Sequence, residues 1–123
     1  MADLHAAARD GSIEFDEASA LHKTTPFFDT FLEVHAFAKA VLLSLRAEDW
    51  RKSVELQPPH DGWYDVYEKV LDAAICKEHG VSAEWYLKLR LIEGLFGHSV
   101  FFVSFHQPER PFKPKPSKRG GQS

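Results

Sequence analysis

The stretch SAEWYLKLRLIEGLFG, residues 82–97, satisfies two periodicities at once. Leu87, Leu89 and Leu91 alternate with Lys88, Arg90 and Ile92 as on a half-buried strand, yet Trp85, Leu89, Ile92 and Phe96 keep the spacing of one helix stripe. Ser82 with Glu84 makes a good helix start, so a helix over residues 85–96, broken by Gly94 and Gly97, is the expectation. The topology of the whole chain turns on that choice.

Downstream, Ser99 to His106 (SVFFVSFH) has the β-branched and aromatic content of a strand, bounded by Gly97 and Pro108. A lone strand leaves its backbone groups unpaired. It therefore needs a partner: Ser12 to Phe15 (SIEF), a reversed 85–92 segment, or another chain.

Upstream, Asp61 caps an expected helix with Trp63, Tyr67, Val70, Leu71, Ala74 and Ile75 on one face and Asp65, Glu68, Lys69, Asp72 and Glu78 on the other. Gly80 stops it, as a residue free to take the left-handed conformation. Ala47 to Leu56 is rich in helix formers and ends at Pro58 and Pro59. Before it, Thr25 as N-cap, Pro26 and Asp29 begin a helix of about 20 residues, on which Phe27, Phe31, Val34, Ala38, Val41 and Leu45 form a continuous stripe. Phe28, Leu32, Leu42 and Leu43 widen that stripe. Ala2 to Arg9 forms a short helix ended by Gly11, and Asp16 to His22 another turn or two. The fold class that follows is mainly α: a small helical domain of about four helices over residues 1–109, a short C-terminal strand, and a flexible basic tail over 110–123.

Composition narrows the setting. At 123 residues the chain is one domain by size and buries about two-thirds of its unfolded surface. The single Cys76 cannot form an intramolecular disulfide, which points to a reducing compartment, and MADLHAAARDG carries Asp3 and Asp10 where a secretion signal needs a basic start and an apolar run. A cytoplasmic protein with no membrane segment is expected. The net charge of −3 hides an asymmetry: residues 1–109 hold ten Lys/Arg against eighteen Asp/Glu, whereas RPFKPKPSKRGGQS holds five basic residues and no acid. Three prolines in that tail deny it a helix.

Several patterns carry chemistry. Cys76 to Gly94 has the outline of a helix-turn-helix, but its second helix offers a major groove Glu84 and two large aromatics, with Lys88 and Arg90 as the cations. His35, His60 and Asp61 as a hydrolytic metal set lack a well-separated later Asp, and Cys76, His79, His98 and His106 as a zinc set lack closely spaced pairs on both sides. Cys76 lies near a helix C-terminus beside Glu78, the wrong setting for a reactive thiolate. No glycine-rich phosphate loop is present. No catalytic residue, cofactor or metal follows.

What remains is a surplus of large aromatics, the residues that carry most interface free energy. The expected function is a non-enzymatic regulatory module that binds a protein partner or its own copy through Trp85, Tyr86, Phe96, Phe101, Phe102 and Phe105. Phe102→Asp is then expected to abolish the complex with the fold retained. The alternative is a nucleic-acid-binding regulator using Lys88 and Arg90 of the 82–93 helix with Lys113, Lys115, Lys118 and Arg119 of the tail.

Overall fold

A computed structural model describes residues 1–16, 28–94, 97–108 and 112. Among them lie three α-helices, α1 (Ala2–Arg9), α2 (Phe31–Ser44) and α3 (Ala73–His79), with a short 3-10 turn at Ala47–Asp49. Five strands accompany them: β1 (Ile13–Phe15), β2 (Trp50–Leu56), β3 (Gly62–Val70), β4 (Glu84–Gly94) and β5 (Gly97–His106). They form one mixed sheet in the order β1-β5-β4-β3-β2, parallel at β1·β5 and antiparallel elsewhere. The domain is α/β. The mainly α expectation, and with it the small helical domain, is overturned.

The deciding stretch is a strand. Trp85, Leu87 and Leu89 are buried while Tyr86, Lys88 and Arg90 are only partly so, a period of two along β4. A cap is worth about 1 kcal/mol, whereas alternation sends Trp85, Leu87, Leu89 and Leu91 together into one core, each large side chain contributing about 2 kcal/mol. Burial therefore outweighs the local helix signal. Ser82 caps no helix: its hydroxyl meets the Gln107 side-chain amide, and its carbonyl accepts from Trp85 Nε1 at 2.9 Å. A β4 strand also supplies the partner that β5 needs, and β1 supplies the other, through Ile13↔Val100 and Phe15↔Phe102.

The two expected helices upstream fail for a related reason. GWYDVYEKV is dense in aromatic and β-branched residues that suit a pleated surface, and it pairs with both β2 and β4. Only the end of the expected 61–79 helix survives, as α3. Its cap is Asp72, whose side chain accepts from Ile75 N at 3.0 Å, and Gly80 ends it in the left-handed region at φ 65. Ala47 to Leu56 becomes the 3-10 turn and the edge strand β2. The long helix is shorter than its stripe implies. Thr30 caps it, accepting from Glu33 N at 3.2 Å, and the expected cap at Thr25 lies outside the described residues, as does the expected helix over 17–22.

One face of the sheet carries the helices. Leu4, Ala7 and Ala8 of α1 and Phe37, Ala38, Val41 and Leu42 of α2 pack on Trp85, Leu87, Leu89, Val100, Phe102 and Phe105. Phe37 sits 4.9 Å from Trp85 and 5.5 Å from Phe105, ring centre to ring centre, and Phe102 lies 4.9 Å from Phe105. No helix among the described residues is long and apolar enough to cross a membrane. Of the expected tail only Phe112 is described; its N–H donates to Glu84 Oε1 at 3.4 Å.

Candidate functional site

The opposite face carries no helix among the described residues, and strand pairing lays its side chains out in transverse rows. His106, Tyr86 and Glu68 share one row. Ser104, Lys88, Val66 and Lys52 share the next. Glu14, Phe101 and Arg90 share a third, and the Arg90 guanidinium carbon lies 5.0 Å over the ring of Tyr64 on the adjoining strand. The row of Tyr86 with His106 and the row of Arg90 with Phe101 thus lie on either side of Lys88. Tyr86 stacks with His106 at 5.3 Å and 22°, and Lys88 Nζ stands 5.9 Å from the Tyr86 ring centre.

Charge on this face is unevenly neutralised. Glu68 is held by Arg51, Nε to Oε1 at 2.7 Å. Lys88 and Arg90, both on the central strand, make no ion pair with any described residue. Burial, then the Glu68 carboxylate, pushes the Tyr86 phenol above its ordinary value, so the ring is a neutral platform at physiological pH.

At the Arg90 end the β2–β3 connection folds back over the sheet as an arch. Asp61 takes a positive φ of 44 and Gly62 one of 107, and a Cβ on Gly62 would stand 2.7 Å from Arg90 Nη1. Only glycine leaves that guanidinium its place. Arg90 Nη1 donates to Asp61 O at 3.2 Å, and Tyr64 Oη donates to His60 O at 2.8 Å, tying the arch to the sheet below. His60 Nδ1 reaches to 4.0 Å from Asp16 Oδ1, past β1. Beneath lies an open cleft of about 340 Å³, with Phe101 and Ile92 on the sheet side, Pro59 and His60 on the arch side, and Arg90 and Glu14 at its two flanks. Tyr64 is 1% exposed although it is on the helix-free face, because the arch covers it.

The expected partner-binding residues divide. Trp85, Phe102 and Phe105 are fully buried in the helix-side core, so they present nothing to a partner. Phe102→Asp would place a carboxylate in the stack of Phe15, Phe102 and Phe105 and unfold the domain, contrary to the expectation of a retained fold. Tyr86 and Phe101 do share the helix-free face, with Lys88 and Arg90 between them. Phe96, Lys113, Lys115, Lys118 and Arg119 lie outside the described residues. Sequence reasoning did not place Lys52, Tyr64 or His106 on this face, although it weighed His106 as a zinc ligand; the strand reading of residues 85–92 beside 99–106 would have paired His106 with Tyr86, whereas Lys52 and Tyr64 also require β2 and β3.

The remaining candidates disperse. Cys76 and His79 lie on or beside α3, while His98 and His106 stand at opposite ends of β5, and no three potential metal ligands converge among the described residues. His35 bonds the Gly11 carbonyl at 3.1 Å, away from His60. Compared with protein-family models and with curated proteins, the sequence matches none.

Proposed function

We propose that this chain is a non-enzymatic, cytoplasmic protein that binds single-stranded nucleic acid on the helix-free face of its sheet. The observation that carries this reading is that Lys88 and Arg90, which make no ion pair with any described residue, stand on the central strand among the rings of Tyr86 and His106 at one end and of Phe101 at the other. Bases stack on aromatic faces whatever their sequence, and cations between the rings meet the phosphates. Six of the acidic residues, Asp3, Asp10, Glu33, Glu48, Asp72 and Glu78, belong to the helices and their ends, and of the two acids in the rows of this face Glu68 is neutralised by Arg51 while Glu14 stands on the edge strand β1. Phe112 N–H donates to Glu84, two residues from Tyr86, so this one residue of the expected tail lies at the end of β4.

Fluorescence anisotropy of short labelled single-stranded RNA and DNA, titrated with the full chain at rising salt, tests the reading. Affinity should fall steeply with salt, with a logarithmic slope of about −0.7 for each phosphate met. Lys88→Glu should weaken binding and flatten that slope. Absent or salt-independent binding overturns the assignment.

A second reading, a protein partner or a second copy, is favoured by Trp63 of β3 and Trp50 of the edge strand β2, which are 62% and 46% exposed. Sedimentation of the chain over a range of concentrations decides its self-associating form: a mass that grows with concentration and stays monomeric in Trp63→Ser supports it, and a monomer throughout retires it.

A further inference from the structure

Resting on the nucleic-acid reading, we propose that the cleft under the arch is a base-reading slot selective for guanine. Its third row sets an acceptor, a flat ring and a donor side by side: Glu14 on β1, Phe101 on β5 and Arg90 on β4. Neighbouring strands are about 4.8 Å apart, so the acid and the guanidinium stand on strands about 10 Å apart with the Phe101 ring between them. A planar base laid on Phe101 and Ile92 under Pro59 and His60 spans that gap, and 340 Å³ admits it.

The polar order across the slot distinguishes the bases. Guanine presents two adjacent donors, N1–H and the N2 amino group, on one edge, and two adjacent acceptors, O6 and N7, on another. A carboxylate accepts from the first pair, and a guanidinium donates to the second. Adenine and cytosine place an acceptor next to their single amino group, which would face the Glu14 carboxylate with repulsion. Uracil has one donor flanked by two acceptors. Arg90 has one nitrogen left for a base, Nη2, because Nη1 serves Asp61 O and Nε is buried. Asp16 backs the acidic flank and approaches His60 at its rim. Phosphates on either side of the base then run toward Lys88, in the adjoining row.

The test is anisotropy with the full chain and short oligouridine RNAs carrying one central guanine, inosine, adenine or uracil. The guanine oligonucleotide should bind about tenfold tighter than the uracil one, and inosine, which lacks the N2 amino group, should lose most of that gain with no change to the protein. Glu14→Gln, on an exposed side chain, should abolish the guanine preference, so that the guanine and uracil oligonucleotides bind this variant alike. Equal affinity for all four oligonucleotides, with salt-dependent binding intact, overturns the slot and leaves the platform standing. Equal affinity of guanine and inosine overturns the carboxylate contact on which the slot depends. Failure to bind any of them overturns both.

Discussion

Two sides of one strand set out the logic of this molecule. Trp85, Leu87 and Leu89 turn to the helices and are closed from water, whereas Tyr86, Lys88 and Arg90, their immediate neighbours, turn to a face without helices and stay partly open. The first set is exchangeable with other apolar side chains of similar volume, because packing asks only for shape. The second set is one ring followed by two cations, Tyr86, Lys88 and Arg90, and packing against the helices does not explain that choice. Stability belongs to one face, and the proposed recognition to the other, separated by the thickness of a single backbone.

The largest effect that would sharpen this contrast is Trp85→Ala. Removing a fully buried aromatic that touches Phe37 and Phe105 should cost about 3–5 kcal/mol in urea denaturation. Tyr86→Ala, one residue on, should cost under about 1 kcal/mol in the same assay. Similar losses from the two would break the division of labour. Next is the charged exception on the helix face. Lys69 is buried, with Nζ 3.0 Å from Asp49 Oδ2, and the same carboxylate accepts from Arg46 N at 2.8 Å. Asp49→Ala, which strands that ammonium, should destabilise by about 3 kcal/mol, and little change would show Lys69 reaching water by another route. On the open face the readout moves to binding. Tyr86→Ala and Lys88→Ala should each weaken single-strand affinity about tenfold with the fold intact by circular dichroism, as expected for one lost stacking or phosphate contact. Unchanged affinity in both would remove the platform.

The smallest effect is alkaline. Burial first, then Glu68, raises the Tyr86 phenol, and burial, then Asp65 and Asp49, raises Tyr67. A phenol raised in the folded state contributes stability fully below the unfolded value of about 10 and loses it as pH climbs through the folded value. The urea midpoint should therefore be flat with respect to these groups up to about pH 9 and decline above pH 10, with a shallower decline in Tyr86→Phe. An identical alkaline profile in wild type and Tyr86→Phe would mean that Tyr86 stands in water.

Punctuation and the strongest strand were legible in the sequence. α1 and β5 fall near their expected bounds, Gly80 ends α3, and the apolar stripe from Val34 to Leu45 does face the core. The middle of the chain was not legible, because residues 61–75 and 82–94 satisfy helical and strand spacing together, and local caps such as Ser82 speak only for the helix. The arbiter is non-local. Trp85 needs Phe37, forty-eight residues earlier in the chain, before its burial is worth anything, and no window around Trp85 contains that fact. The candidate face was half legible for the same reason: Lys88, Arg90, Tyr86 and Phe101 were singled out, but their common plane exists only once β4 and β5 pair.

The pairing of β1 with β5 has a consequence in time. Ile13 and Phe15 find their ladder on Val100 and Phe102, so a strand made near the start of the chain waits for one made almost ninety residues later. During synthesis, β2, β3 and β4 can join in succession as neighbours, while the Phe15 ring and the acidic flank carried by Glu14 have no seat until β5 emerges. The scaffold thus precedes the slot: the rim that would read a base is the last part of the sheet to close, and a chain interrupted before Val100 would carry Lys88 and Arg90 with no strand beside them to seat Glu14.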